Sequence, residues 1–192
     1  VFVVLLCLFP FSNFLYGLIA EPLLVHLSGS STMIATQVAS PFLAPFKLTA
    51  FVAVVISVPY IFFQAWSFIA PGLYMKERRL ALPLIVSSTI LFYLGIAFAY
   101  YAVFPLVFGF FTSVAPEGVT IMTDISHYLD FVLKIFLAFG AAFEVPVATY
   151  LIVRSGLSTV ESLGKKRPYI IVGSFVLGMV LTPPDVISQT ML

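Results

Sequence analysis

The chain has 192 residues, of which 61% are hydrophobic and 9% charged, with a mean hydropathy of +1.15. Soluble domains carry about 25% charged residues, so a water-soluble globule is excluded and a membrane protein is expected. The net charge of +1 decides nothing here, because the placement of charge matters and its sum does not, while a single cysteine, Cys7, rules out an intrachain disulfide.

A helix that crosses a bilayer needs about 20 apolar residues at ~1.5 Å each. Residues 1–20 carry no charge and form the first expected span. They lack a basic leading region and a small-residue cleavage site, so they do not read as a signal peptide. The chain starts and ends inside apolar stretches, which is the expectation for a fragment of a longer protein. A second span is expected over 48–70, closed by Ala70, Pro71 and Gly72. The third covers 80–104, with Pro105 read as its end. A loop at 106–128 holds Glu117 and Asp124, and a fourth span over 130–153 is interrupted by Glu144. The fifth follows Pro168, a residue suited to a first helical turn, and runs over 168–182. Its 14 residues after Pro168 make ~21 Å of helix against a hydrocarbon core of ~30 Å, so the bilayer or neighbouring helices must meet a short crossing. Asp185 is the expected N-cap of a sixth helix that starts at 186–192. The expected fold is therefore all-α: one integral membrane domain over 1–192 with five spans and the start of a sixth.

Charge gives the orientation. Lys76, Arg78, Arg79, Arg154, Lys165, Lys166 and Arg167, seven of the nine basic residues, fall after spans two and four. Basic loops face the cytoplasm, so the loops at 21–46 and 106–128 face outward, with the acids Glu21, Glu117, Asp124 and Asp130 on that side and Lys47 and Lys134 at helix edges.

No Walker loop, GxSxG, HExxH or Cys/His cluster is present in the sequence, so no catalytic residue, metal or cofactor is expected, and no nucleic-acid partner. His26 and His127 lie in outward loops and read as solvated. Two acids stand out. Glu77 sits among Lys76, Arg78 and Arg79 and has two readings: it pairs with those bases and starts a helix whose dipole favours an acid, or it awaits a cationic partner. Glu144 lies near the middle of span four, where a charge costs roughly 2.5–3.5 kcal/mol, so its default reading is functional. The alternative is a neutral acid that hydrogen-bonds neighbouring helices. Pro146, two residues on, removes a backbone donor and loosens the helix. The Gln64 amide in span two is expected to act as interhelical glue. In "LTPPDVISQ", Pro183 and Pro184 with Asp185 form an outer turn, and Thr182 and Gln189 present polar groups there. This is either a plain turn or a docking point for a polar residue of another helix.

Six stretches carry a resemblance: "ASPFLAPFKL" at 39–48, "FQAWSFIAPGLYMKERR" at 63–79, "SSTILFYLGIAFAY" at 87–100, "FEVPVA" at 143–148, "KKRPY" at 165–169 and "LTPPDVISQ" at 181–189. In order and spacing they closely resemble the multispanning core subunit of the twin-arginine protein translocase, the TatC family. The resemblance implies six transmembrane helices in a concave, glove-like bundle in the bacterial cytoplasmic membrane or its thylakoid equivalent. It implies a receptor for twin-arginine signal peptides of folded precursors, driven by the proton-motive force. Its signal-binding acid matches Glu77 and its aromatic partner Phe68; its intramembrane acid matches Glu144. Its contact region for small single-span subunits matches Met179, Thr182 and Gln189. Further copies of the chain and membrane lipid are the remaining expected partners. The competing reading is an ion-coupled secondary transporter with Glu144 as proton carrier, which needs a polar path that Glu144 and Gln64 alone supply thinly. A purely structural scaffold is the third.

Overall fold

The structure, a computed structural model, describes residues 1–24, 34–69, 81–114, 123–154, 156 and 158–181. Its helices are α1 (Phe2–Leu8), α2 (Ser12–Leu24), α3 (Ser40–Ile69), α4 (Ala81–Phe98), α5 (Phe104–Val114), α6 (Ile125–Phe143), α7 (Val145–Arg154), α8 (Val160–Lys165) and α9 (Arg167–Leu181). Among the described residues there is no strand, only a single parallel bridge between Ile34 and Asp124. The all-α expectation holds. Among the described residues, four stretches are long and apolar enough to cross a membrane: Phe2–Ala20, Ser40–Ser67, Leu82–Phe110 and Ile125–Arg154. At 15 residues α9 falls short, measuring about 22 Å.

Proline acts differently from expectation at Pro105. The helix does not end there; α4 continues into α5 through a wider π turn, Ala99–Val103. The Phe104 amide donates to the Ala99 carbonyl, five residues back. Proline has no N–H for the carbonyl four residues earlier and its ring crowds it, so widening the turn lets the helix pass without a break. The second expected span likewise starts earlier, at Ser40, with Pro41 and Pro45 in its first turns.

The chain forms two compact units, Val1–Ser57 with Phe98–Phe136, and Val58–Ala97 with Leu137–Leu192. In the first, buried Ala44 and Leu48 of α3 meet Leu129 of α6, with Leu15, Tyr16 and Ile19 of α2 packed against them. Phe104 and Phe108 of α5 add an aromatic layer, with ring centroids 5.1 Å from Phe136 and 5.6 Å from Tyr128. Between helices in lipid the hydrophobic drive is weak, so close packing and polar ties decide association. Two such ties reach α2. Position 22 is a proline, so the Leu18 carbonyl lacks the amide that would normally bond it; the Tyr100 hydroxyl donates to it at 3.0 Å. The Tyr128 hydroxyl donates to the next carbonyl, that of Ile19, at 2.7 Å.

Asp124 locks the start of α6 to the segment before α3. One carboxylate oxygen accepts from the Thr36 hydroxyl at 2.6 Å and the Thr36 amide at 2.9 Å. The other caps α6, accepting from the amides of Ser126 and His127 at 2.8 and 3.1 Å. The Thr36 hydroxyl foremost, then these amides, holds the carboxyl well below its ordinary range. A depressed folded value means the clamp is complete above the ordinary carboxylate range, about pH 4, and is lost as pH falls from there toward the folded value. Thermal unfolding followed against pH should show the midpoint of the native chain dropping in acid. In Asp124→Asn the midpoint should start lower and stay flat over that window, so that the two curves converge.

In the second unit, α4 and α6 approach closely where Gly95 faces the Phe139 backbone and Gly140 faces the Phe92 ring. Phe62 of α3 sets its ring edge-on to Phe92 at 6.0 Å. Gly156, with φ +73°, takes the left-handed conformation that terminates α7. Thr159 then caps α8, its hydroxyl accepting from the Ser162 amide at 3.2 Å, with Glu161 in the first turn.

Candidate functional site

The helix pair α6–α7 reads in the sequence as one interrupted span, and the interruption falls at Glu144, a turn residue between them. Pro146 cannot donate to the Ala142 carbonyl, and the chain tightens just before it: the Glu144 amide bonds the Ala141 carbonyl three residues back, at 3.1 Å. Regular bonding resumes with the Ala148 amide to the Glu144 carbonyl at 2.9 Å. Arg154 lies ten positions after Glu144, about 15 Å of helix, or half the hydrocarbon core when Arg154 stands at the interface.

What the carboxyl meets is Ser88 of α4, whose hydroxyl hydrogen-bonds it. Three consecutive hydroxyl residues occur there, and the other two are satisfied locally: Ser87 bonds the Leu84 carbonyl at 3.0 Å and Thr89 the Ile85 carbonyl at 2.8 Å. Ser88 is the buried one, 4% exposed. Glu144 Oε1 is itself buried and finds no hydrogen-bond partner among the described residues. An acid half-satisfied at mid-span, held by a single hydroxyl on a facing helix, can accept a further donor or carry a proton. Ser88 is missing from the sequence reading. Its signal was the Ser-Ser-Thr run inside an apolar span, but only the packed helices show which of the three hydroxyls turns inward.

Among the described residues, the Gln64 amide bonds within its own helix. It donates to the Tyr60 hydroxyl at 2.7 Å, one turn earlier on α3, and both side chains are exposed. Met179 stands on α9, 65% exposed, along with Tyr169, Val172 and Val176. Phe68 lies in the last turn of α3. Lys76, Glu77, Arg78 and Arg79 lie outside the described residues, as do Thr182, Pro183, Pro184, Asp185 and Gln189. Among the described residues no group of His, Cys, Asp and Glu could hold a metal ion.

The family model for Sec-independent protein translocase protein (TatC) matches residues 1–192. The chain belongs to the TatC family. It is 58% identical over its whole length to the TatC of Azotobacter chroococcum mcd 1 and 59% to that of Haemophilus influenzae Rd, covering 75% of each. To TatC of Escherichia coli K12 it is 57% identical, covering 74% of that protein. The fold is similar to a crystal structure described as the twin arginine translocase receptor TatC, with a TM-score of 0.85 and 33% identity over 99% of this chain and 83% of that one. With its apolar helices, membership of TatC makes the chain a membrane protein of a protein-translocation system, as the sequence motifs led one to expect. The Glu144–Ser88 pair and the glycine crossing are therefore features of a translocase subunit.

Proposed function

We propose that the chain is the signal-peptide receptor and core subunit of a twin-arginine translocase that exports folded proteins on the proton-motive force. The observation that carries this reading is the likeness, over nearly the whole chain, to a structure described as a twin arginine translocase receptor. The membrane is the bacterial cytoplasmic membrane, with the basic stretches around 76–79 and 154–167 on the cytoplasmic side, where precursors are made. Glu77 receives the paired guanidinium groups of the signal peptide, since a carboxylate accepts two parallel N–H bonds from arginine. Lys76, Arg78 and Arg79 hold the loop at the membrane surface, and Phe68 offers apolar contact to the peptide's hydrophobic part. Small single-span subunits dock through Met179, Thr182 and Gln189.

The test is a photo-crosslinker at position 77 with a labelled twin-arginine peptide. Crosslinks should form, and binding to Glu77→Gln should fall by about 10- to 100-fold, as the loss of charge-assisted hydrogen bonds of ~1.5–3 kcal/mol implies. Unchanged binding by Glu77→Gln defeats the role. The transporter reading finds less support: Gln64, one of its two polar groups, is bonded along its own helix. Solute uptake driven by a proton gradient in vesicles would revive it.

A further inference from the structure

α3 and α6 begin at the same end of the first unit. The Ile34 amide donates to the Thr123 carbonyl and the Ile125 amide to the Ile34 carbonyl, at 3.0 and 2.9 Å, and the Ser126 hydroxyl donates to that of Ser40 at 2.8 Å. Two turns into α3, Lys47 reaches back to Asp130 of α6, Nζ to Oδ1, at 2.6 Å. Between these ties lies a cleft of about 470 Å³. Ala44 and Ala50 leave the room, and Leu43 and Phe46, both substantially exposed, form an apolar wall. Its outer end is polar, with Ser40, Ser126 and His127, and the Lys47–Asp130 pair lines it as well.

The placement and the charge pattern together select an occupant. The walls belong to spanning helices near their starts, where a bilayer presents headgroups and the first acyl carbons. The size suits a small amphiphile, since ligand sites run ~300–1,000 Å³. The side chains of Lys47 and Asp130 remain 56% and 45% exposed, so each can take a second partner. A simple anion at Lys47 would be repelled by Asp130, and a simple cation at Asp130 by Lys47. A molecule that carries a phosphodiester and a primary ammonium side by side meets both charges, and its tail follows Phe46 and Ala50 into the apolar region.

We propose that this cleft binds one zwitterionic aminophospholipid of the surrounding bilayer, its phosphodiester on Lys47 and its ammonium donating to Asp130. Phosphatidylcholine shares the phosphate but has no N–H to donate, and phosphatidylglycerol lacks the cation, so both should bind less well. The experiment is native mass spectrometry of the detergent-purified chain titrated with phosphatidylethanolamine, phosphatidylcholine and phosphatidylglycerol. One phosphatidylethanolamine should be retained with about tenfold preference over the other two, the value of one charge-assisted hydrogen bond. The preference should vanish in the double variant Lys47→Gln, Asp130→Asn. In Ala50→Phe, which fills the cleft and leaves the ion pair in place, binding itself should be lost. Equal retention of the three lipids by the unaltered chain, or a preference for phosphatidylglycerol, overturns the proposal without recourse to any variant. So does undiminished binding by either variant.

Discussion

Gly95→Ala should destabilise the chain by about 1–3 kcal/mol, the usual cost of overpacking, and Gly95→Val by more. A Cβ at Gly95 would stand 2.5 Å from the Phe139 carbonyl oxygen and 2.9 Å from its carbon. Both atoms are backbone of α6, about one turn from its end, so they cannot swing aside; α4 and α6 must separate. Gly140 offers the comparison. A Cβ there would meet the Phe92 ring at 2.7 Å, a side chain that can tilt, so Gly140→Ala should cost less. Gly173 on α9 has nothing within 4 Å of the added atom, and Gly173→Ala should be neutral or stabilising by up to about 1 kcal/mol through helix propensity. Thermal unfolding in detergent ranks the three, and a Gly140→Ala loss larger than that of Gly95→Ala would reverse the argument. The consequence extends to the acid. From this crossing, Ser88 lies two turns toward the start of α4 and Glu144 just over one turn toward the end of α6, as antiparallel neighbours require. Opening the crossing should therefore pull Ser88 away from Glu144.

Glu144→Leu should leave the chain as stable as the native protein or more stable by about 1–3 kcal/mol, while export of a twin-arginine reporter falls. The gain follows from removing Oε1, a buried oxygen with no hydrogen-bond partner among the described residues. Replacing a half-satisfied buried polar group by an apolar one of similar size is commonly neutral or stabilising. Ser88 is then left to bond a carbonyl of its own helix, as Ser87 and Thr89 already do. A residue that lowers stability and is needed for transport is placed for function. Glu144→Gln separates the two functions open to it: the amide keeps the shape and hydrogen-bonding capacity but cannot release a proton. Retained export in Glu144→Gln with loss in Glu144→Leu assigns a hydrogen-bonding role, and loss in both assigns a proton. A marked drop in the unfolding midpoint of Glu144→Leu would show that the acid is structural.

Much of this was legible before any coordinates. Uncharged runs of 20 or more residues have only one way to satisfy their backbone in lipid, so the spanning helices follow from hydropathy alone. Glu144 likewise announces itself by the cost of its position. The motif strings at 63–79 and 181–189 pointed to the translocase family that the comparisons then showed. Proline was misread at Pro105 because its effect depends on whether neighbouring turns can widen, which a single residue does not encode.

The remaining features required residues distant in the chain to be brought together. Nothing local to "SST" tells which hydroxyl will face residue 144. Lys47 and Asp130, read as a helix-edge base and an outward acid, give no sign that they pair across 83 positions. Asp124 reads as a loop acid, yet it ties Thr36, 88 positions away, to the start of α6. Hydropathy is a property of each segment and its solvent, so it is written along the chain. Pairing depends on helix register and on the small residues that permit close approach, and those are settled only when the helices pack.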